Sequence, residues 1–402
     1  MQIILVLIVL MLGAQSFAGD SSGPLDSTES ETRGLSDFWT RWHIDDFHPA
    51  TPDTFFNLSA RRLIAPTSDT SRHVHPGIQY FPDGFPRSSG RVSPWKYWLV
   101  TTPFIHTESE ENPTIHVSND IKNRNGWTSQ WGPLAADTFS NPVITPERFV
   151  FDTLYVYRRG TQETFYDTNG AGAASIHTGR RATHLSDPGM LATPDGGLLL
   201  YYRATWTIGA VSMSGIFSQR SKDGVNWESP KQITHLGKWM SPAMVIDTGG
   251  LYVMYCTVQE DSVSGITDLS IFYRFTSKSV DSIFAYGGPV TLHNMKSCRP
   301  FHMSVWSLAP DRVFAVVLAQ CSRGVLLLES RDHGANWIAA DKPLVNGGPP
   351  GSWYDILYQT SCFPIEEDDR MRLGCIVSAF RDSSGTTIFH TGYTEVNLVD
   401  SL

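Results

Sequence analysis

The chain has 402 residues, a charged fraction of only 18% and a formal net charge of −9, enough length for one large all-β domain or two average ones. No basic tract interrupts it, which argues against a nucleic-acid partner, because phosphates need clustered Lys and Arg. Its 12 tryptophans and 33 glycines favour many short strands joined by tight turns.

Met1 to Ala18 holds an apolar run, Ile3 to Gly13, and a small-residue exit, Ser16-Phe17-Ala18. It reads as a secretory signal cleaved near Ala18, and predicts a secreted protein, extracellular or periplasmic; the alternative is an uncleaved anchor. No later segment is long and apolar enough to cross a bilayer. Gly19 to Ser36 has almost nothing to bury and reads as a disordered linker, which leaves 37–402 as one domain. Asn57-Leu58-Ser59 is a glycosylation sequon in a host that uses it. Of the five cysteines, Cys298 with Cys321 and Cys362 with Cys375 fall in strand-like runs, each pair on the first two strands of one repeat. Disulfides there suit an oxidising compartment, and five free thiols are the alternative. Cys256 is left as a small buried apolar residue.

From His75 onward one signal recurs: a polar residue or two, often then Pro, then an apolar strand. The instances are His75-Pro76, Asn141-Pro142, Asp187-Pro188, Ser241-Pro242, Arg299-Pro300 and Trp353-Tyr354-Asp355. The last four starts are 54, 58 and 54 residues apart, a period that points to a propeller. After Asp187 the order is a Gly196-Gly197 turn, strands at Leu198 to Trp206 and Ser214 to Arg220, an Asp223-Gly224 turn, and a strand at Lys231 to Leu236. Four short antiparallel strands make one blade. Six starts predict an all-β, six-bladed propeller. Five blades plus an insertion is the alternative, because the Asn141 unit rests only on Leu154 to Arg158 and Ala174 to His177. The last blade needs an N-terminal strand to close the ring, with Arg62 to Ala65 as the candidate.

Ser330-Arg331-Asp332-His333-Gly334-Ala335-Asn336-Trp337 resembles the Asp box of sialidases, with a shorter copy at Ser221 to Trp227 and a looser one from Ser118-Asn119-Asp120 to Gly126-Trp127. The resemblance implies a structural turn, its Asp capping amides and its Trp packing between blades. The strand starts resemble a second group, the arabinanase and xylosidase-like propellers of glycoside hydrolase family 43, over most of Arg72 to Leu398. That likeness implies a base Asp, a modulating Asp and an acid Glu at the axis. Asp187-Pro188 matches the modulator, and His75-Pro76 and His302 match flanking motifs. Gly77 stands where the base would be and Met240-Ser241-Pro242 where the acid would be.

Propeller sites form where the innermost strands begin, so side chains distant in sequence meet there. The candidate catalytic carboxyls are Asp187, Asp355 and Glu111, since glycoside hydrolysis uses a pair flanking the bond. The candidate substrate-binding residues are His75, Asn141, Arg299, His302, Trp353 and Tyr354, because rings stack on sugar faces and fixed polar groups read hydroxyls. Each has a structural alternative: Asp187 as a turn cap, the histidines as packed core, Glu111 as a solvated loop. No spaced His/Cys cluster suggests a metal, and no phosphate loop suggests a nucleotide cofactor. The sequence therefore predicts a carbohydrate-acting propeller without a cofactor, foremost a glycoside hydrolase. The alternatives are a non-catalytic glycan- or protein-binding propeller, or a polysaccharide lyase with Arg299 neutralising a uronate and Tyr354 or His302 moving the proton.

Overall fold

The computed structural model describes Trp42–Phe47, Phe55–Phe56 and most of residues 73–400. Residues 1–41, 48–54 and 57–72 lie outside the description, as do the loops 86–93, 105–110, 128–141, 168–181, 259–271, 296–299, 320–323 and 348–355 and several shorter ones. Among the described residues no helix is long and apolar enough to cross a membrane.

In chain order the strands are β1 (Trp42–Phe47) and β2 (Phe55–Phe56), then blade 1 with β3 (His73–Phe85), β4 (Trp95–Pro103) and β5 (Thr114–Ser118). A hairpin follows, β6 (Thr153–Arg158) with β7 (Thr161–Asp167). Blade 2 holds β8 (His184–Ala192), β9 (Leu198–Ile208), β10 (Val211–Ser221) and β11 (Lys231–Gln232). Blade 3 holds β12 (Trp239–Ile246), β13 (Tyr252–Val258), β14 (Tyr273–Ser277) and β15 (Ala285–Pro289). Blade 4 holds β16 (Thr291–His293), β17 (Pro300–Ala309), β18 (Arg312–Ala319), β19 (Gly324–Ser330) and β20 (Asn336–Asn346). Blade 5 holds β21 (Ile356–Glu367), β22 (Arg370–Ser383) and β23 (Thr386–Asp400).

The inner strands pack in one closed circuit, β3 on β8, β8 on β12, β12 on β17, β17 on β21 and β21 back on β3. The propeller therefore has five blades, which corrects the six-bladed expectation in favour of its alternative. Among the described residues the Asn141 unit supplies no inner strand. Asn141 itself lies outside the description, and Val143 and Ile144 are buried among the residues shared by blades 1 and 2, with the Val143 amide on the Pro113 carbonyl. An apolar run after a polar-Pro pair can plug a cleft as well as start a strand. The ring closes through β1, which pairs antiparallel with β23 (Trp42 with Asp400, Ile44 with Leu398), and β2 pairs the same strand at Gly392 and Thr391. The proposed closing segment Arg62 to Ala65 lies outside the described residues. Closure removes the open edge that β23 would otherwise present.

The Ser-x-Asp turns join third to fourth strands, far along each blade from the inner strand. Asp332 Oδ1 accepts the Ala335 and Asn336 amides at 3.1 and 2.9 Å, and Ser330 Oγ accepts the Gly334 amide at 2.9 Å. Asp223 and Ser221 repeat the pattern on Val225, Asn226 and Gly224. Trp337 is fully buried, edge-on to Tyr255 of the preceding blade. The two turn glycines explain the pattern's spacing. Gly224 (φ 71°) lies against the Trp98 ring of blade 1, and Gly334 (φ 79°) against Tyr255 of blade 3, so each turn locks onto an aromatic of the blade before it. Cys362 and Cys375, opposite each other on β21 and β22, form a disulfide, and Cys256 is a buried free thiol. Cys298 and Cys321 lie outside the description.

Candidate functional site

Each inner strand has a bulge near its start, and that bulge brings one polar side chain to the axis; β3 and β17 carry a second irregularity further along. His75 sits between Val74 and Gly77 of β3, and Asp187 between Ser186 and Gly189 of β8. Ser241 sits between Met240 and Ala243 of β12, His302 between Pro300 and Met303 of β17, and Tyr358 between Leu357 and Gln359 of β21. Bulges re-aim side chains in this way, and they gather beside functional sites. His75, Asp187 and Ser241 occupy the left-handed region, with φ of 54°, 49° and 49°, each directly before a proline. A non-glycine residue there costs on the order of 1–3 kcal/mol and persists where the surroundings fix it. The shared conformation makes His75 the blade 1 counterpart of Asp187. Gly77 does not face the site: a Cβ there would meet the Gly189 backbone of the neighbouring inner strand.

The five side chains form a closed circuit. His75 Nε2 is 3.0 Å from Asp187 Oδ1. The Ser241 amide donates to Asp187 Oδ2 at 3.3 Å, and Ser241 Oγ lies 2.7 Å from His302 Nδ1. The His302 ring packs on Tyr358 with centroids 4.8 Å apart, and the Tyr358 hydroxyl lies 3.2 Å from His75 Nε2. His75, Asp187, Ser241 and His302 are buried. Tyr358, Arg203, Met240 and Phe301 are half-buried and give the ring its solvent side.

A second layer fixes this circuit. Arg203 on β9 stands opposite Ser186 in register and sends Nε to Asp187 Oδ2 at 3.0 Å, while its Nη2 reaches His184 Nε2 at 3.3 Å. Thr102 Oγ1 lies 2.9 Å from His75 Nδ1, and Glu111 Oε2 lies 3.5 Å from the same nitrogen. Glu111 is itself buried, its carbonyl accepting the Leu185 amide of blade 2.

Burial alone would raise the Asp187 carboxyl, but the Arg203 guanidinium, the neighbouring histidines and the Ser241 amide outweigh it and hold the group well below the usual carboxylate range. Burial brings His75 down to about 4, against the pull of Asp187 and helped by Arg203. Burial likewise brings His302 to about 3. At neutral pH the imidazoles are thus neutral and Asp187 is an anion. The close His75 contacts are then hydrogen bonds rather than ion pairs. Asp187 Oδ1 needs a donor, so Nε2 of His75 carries the proton and the Thr102 hydroxyl donates to Nδ1. A carboxylate so held orients an imidazole but does not act as a general acid. Both His75 nitrogens and the Arg203 guanidinium are thus committed, and the Tyr358 hydroxyl is the ring's group with a half-buried side chain. Among the described residues no group of His, Cys, Asp and Glu is arranged to hold a metal ion.

Of the residues expected from the sequence, His75, Asp187, His302 and Glu111 come together here. Asp355, Asn141, Arg299, Trp353 and Tyr354 lie outside the described residues. Sequence reasoning missed Arg203, Tyr358, Thr102 and His184. One signal was available: Arg203 is the lone charge in the apolar strand Leu198 to Trp206, and an unpaired charge in a buried strand demands a partner.

No protein-family profile matches the chain, and no curated protein matches it in sequence. Solved structures do share the fold. An N-acetylgalactosamine deacetylase from F. plautii, in complex with blood group B trisaccharide, superposes with a TM-score of 0.60 at 18% identity, over 87% of this chain and 95% of the other. A xylan β-1,4-xylosidase from Bacillus halodurans C-125 gives 0.53 at 13% identity, over 88% of this chain and 56% of that longer one. The chain therefore has the architecture of these glycan-acting propellers.

Proposed function

We propose that this protein is a carbohydrate-active hydrolase of the glycoside-hydrolase type, working at the axial ring of His75, Asp187, Ser241, His302 and Tyr358. One observation carries the reading: in every blade a bulge near the start of the inner strand brings a polar group to the same point, three of them in a strained conformation. A merely structural axis needs no such arrangement. The half-buried Phe301 and Tyr358 rings add aromatic faces of the kind that hold sugars. The signal-like N-terminus and the Cys362–Cys375 bridge support an exported enzyme meeting its glycan outside the cytosol. The two Ser-x-Asp turns act as scaffold, in keeping with their likeness to the Asp box.

Glycosidic hydrolysis needs two carboxyls flanking the bond. Asp187 and Glu111 do not leave room for one between them, because the His75 imidazole contacts both. This reading assigns the second carboxyl to Asp355, which lies outside the described residues. This wedge also favours a second reading, hydrolysis of an acyl substituent on a sugar, in which Tyr358, held by the Asp187-oriented His75, positions water. The lyase reading rests on Arg299 and Tyr354, which lie outside the described residues, and the one guanidinium described at the ring, Arg203, is bound to Asp187.

The test is a panel of oligo- and polysaccharides, scored for new reducing ends, released acetate and unsaturated uronate, with wild type beside Asp187→Asn. Reducing ends lost in the variant support the first reading, and acetate supports the second. Absorbing unsaturated product, or activity untouched by Asp187→Asn, refutes the assignment.

A further inference from the structure

Among the five ring residues only His302 keeps a buried polar atom, Nε2, with no hydrogen-bond partner among the described residues. Its other nitrogen, Nδ1, is 2.7 Å from Ser241 Oγ. Two arrangements are possible for that bond. Either Nδ1–H donates to the hydroxyl, or the hydroxyl donates to Nδ1. The Ser241 side chain is buried and has no other hydrogen-bond partner among the described residues. In the first arrangement two groups go unpaired in the interior, the Ser241 hydroxyl proton and the bare Nε2 acceptor. In the second every Ser241 proton is used, the amide on Asp187 and the hydroxyl on His302, and one group alone, Nε2–H, is left to meet a ligand.

We infer that Ser241 is a positioning residue whose hydroxyl fixes His302 as the Nε2–H tautomer, a neutral donor presented inside the ring to an acceptor oxygen of the bound glycan. The inference rests on the axial ring being the ligand site. It goes further, because it names the chemistry that His302 offers: a hydrogen bond to a carbonyl or hydroxyl oxygen, and neither a base nor a cation. The proton must stay on Nε2 as long as Nδ1 is occupied by the serine. Burial keeps the ring from taking a second proton across the neutral range. The groups that face it agree: Asp187 is already saturated by Arg203, His75 and the Ser241 amide, and His75 and Tyr358 approach His302 through their ring faces and edges. The backbone supplies an independent sign. Ser241 sits at φ 49°, where glycine would be unstrained, yet a side chain is kept at that position, and strain of this kind gathers where function requires the group.

The experiment reads the tautomer directly and needs no substrate. Protein labelled with 15N at histidine is examined by imidazole NMR between pH 5.5 and 8.5, and the His302 signals are assigned by their loss in His302→Gln. The expected result is one tautomer across the range, with a protonated-type Nε2 and an unprotonated-type Nδ1. Ser241→Gly, which keeps the amide and relieves the backbone, should fold with unchanged or higher thermal stability and show His302 as a mixture of tautomers. Nδ1–H in the wild type, a bare Nε2 as a cation-binding imidazole would show, or a spectrum unmoved by Ser241→Gly overturns the inference. Once a substrate is known, Ser241→Gly should lower kcat/KM by about 10-fold, the factor that one lost neutral hydrogen bond of about 1.4 kcal/mol gives, with the shape of the pH profile kept. A protein that cleaves nothing would end the proposed function and leave the tautomer result standing.

Discussion

Acid should destabilise this propeller well before its carboxylates titrate. His75 falls to about 4, His302 to about 3 and His184 to about 3, in each case chiefly through burial. In the unfolded chain each returns to its ordinary value near 6.5. Between these limits the unfolded state binds more protons, so stability is fully present above pH 6.5 and is lost as the pH falls toward 4. Lowering the pH from 7.5 to 5.5 costs roughly 1 kcal/mol per histidine by linkage, or about 3–4 kcal/mol for the three. His116, also pushed well down by burial, adds in the same direction. A domain has only about 5–15 kcal/mol in hand, so the change is large. Urea unfolding at closely spaced pH values measures it, and the slope near pH 5.5 should report an uptake of about three protons on unfolding. His184→Asn should remove about a third of the effect. Stability that is flat or rising from pH 7.5 to 5.5 would refute the buried neutral cluster.

Other consequences are as direct. Tyr358→Phe removes the hydroxyl that reaches His75 and should lower turnover by about 10²–10⁴-fold, with the urea midpoint within about 1 kcal/mol of wild type; unchanged kinetics on a cleaved substrate would remove Tyr358 from the proton path. Gly224→Ala places a methyl group in the Trp98 ring at a positive φ, and should cost about 3 kcal/mol from overpacking and backbone strain together, read as a lower melting temperature. Reducing the Cys362–Cys375 bridge, whose sequence separation is 13, should lower stability by about 3 kcal/mol, seen as a shifted denaturation midpoint with and without reductant.

The blades were largely legible because their punctuation is local. Glycine turns, Ser-x-Asp turns and apolar runs fixed β9 to within two residues of its observed ends and β10 to within three. The axial group was legible in part, because a polar residue before proline at a strand start marks a bulge. His75, Asp187 and Ser241 all carried that mark. Asn141-Pro142 carried it too, and the following Val143 and Ile144 fill a cleft instead, since nothing local tells an inner strand from a plug. Arg203 and Tyr358 depend on register. Arg203 meets Asp187 only because it pairs across from Ser186 one residue short of a bulge, and a sequence does not display its cross-strand partner. The closing strand β1 was hidden for a similar reason, as its mate β23 lies at the other end of the chain.

The central claim is that a glycan is held at the ring of five bulges. Soaking crystals with an oligosaccharide taken from the substrate panel tests it most directly. The sugar should be seen at the axial mouth, within hydrogen-bond distance of the Tyr358 hydroxyl and His302 Nε2. A sugar bound only on the outer strands or the blade rims, with the ring untouched, would contradict the account.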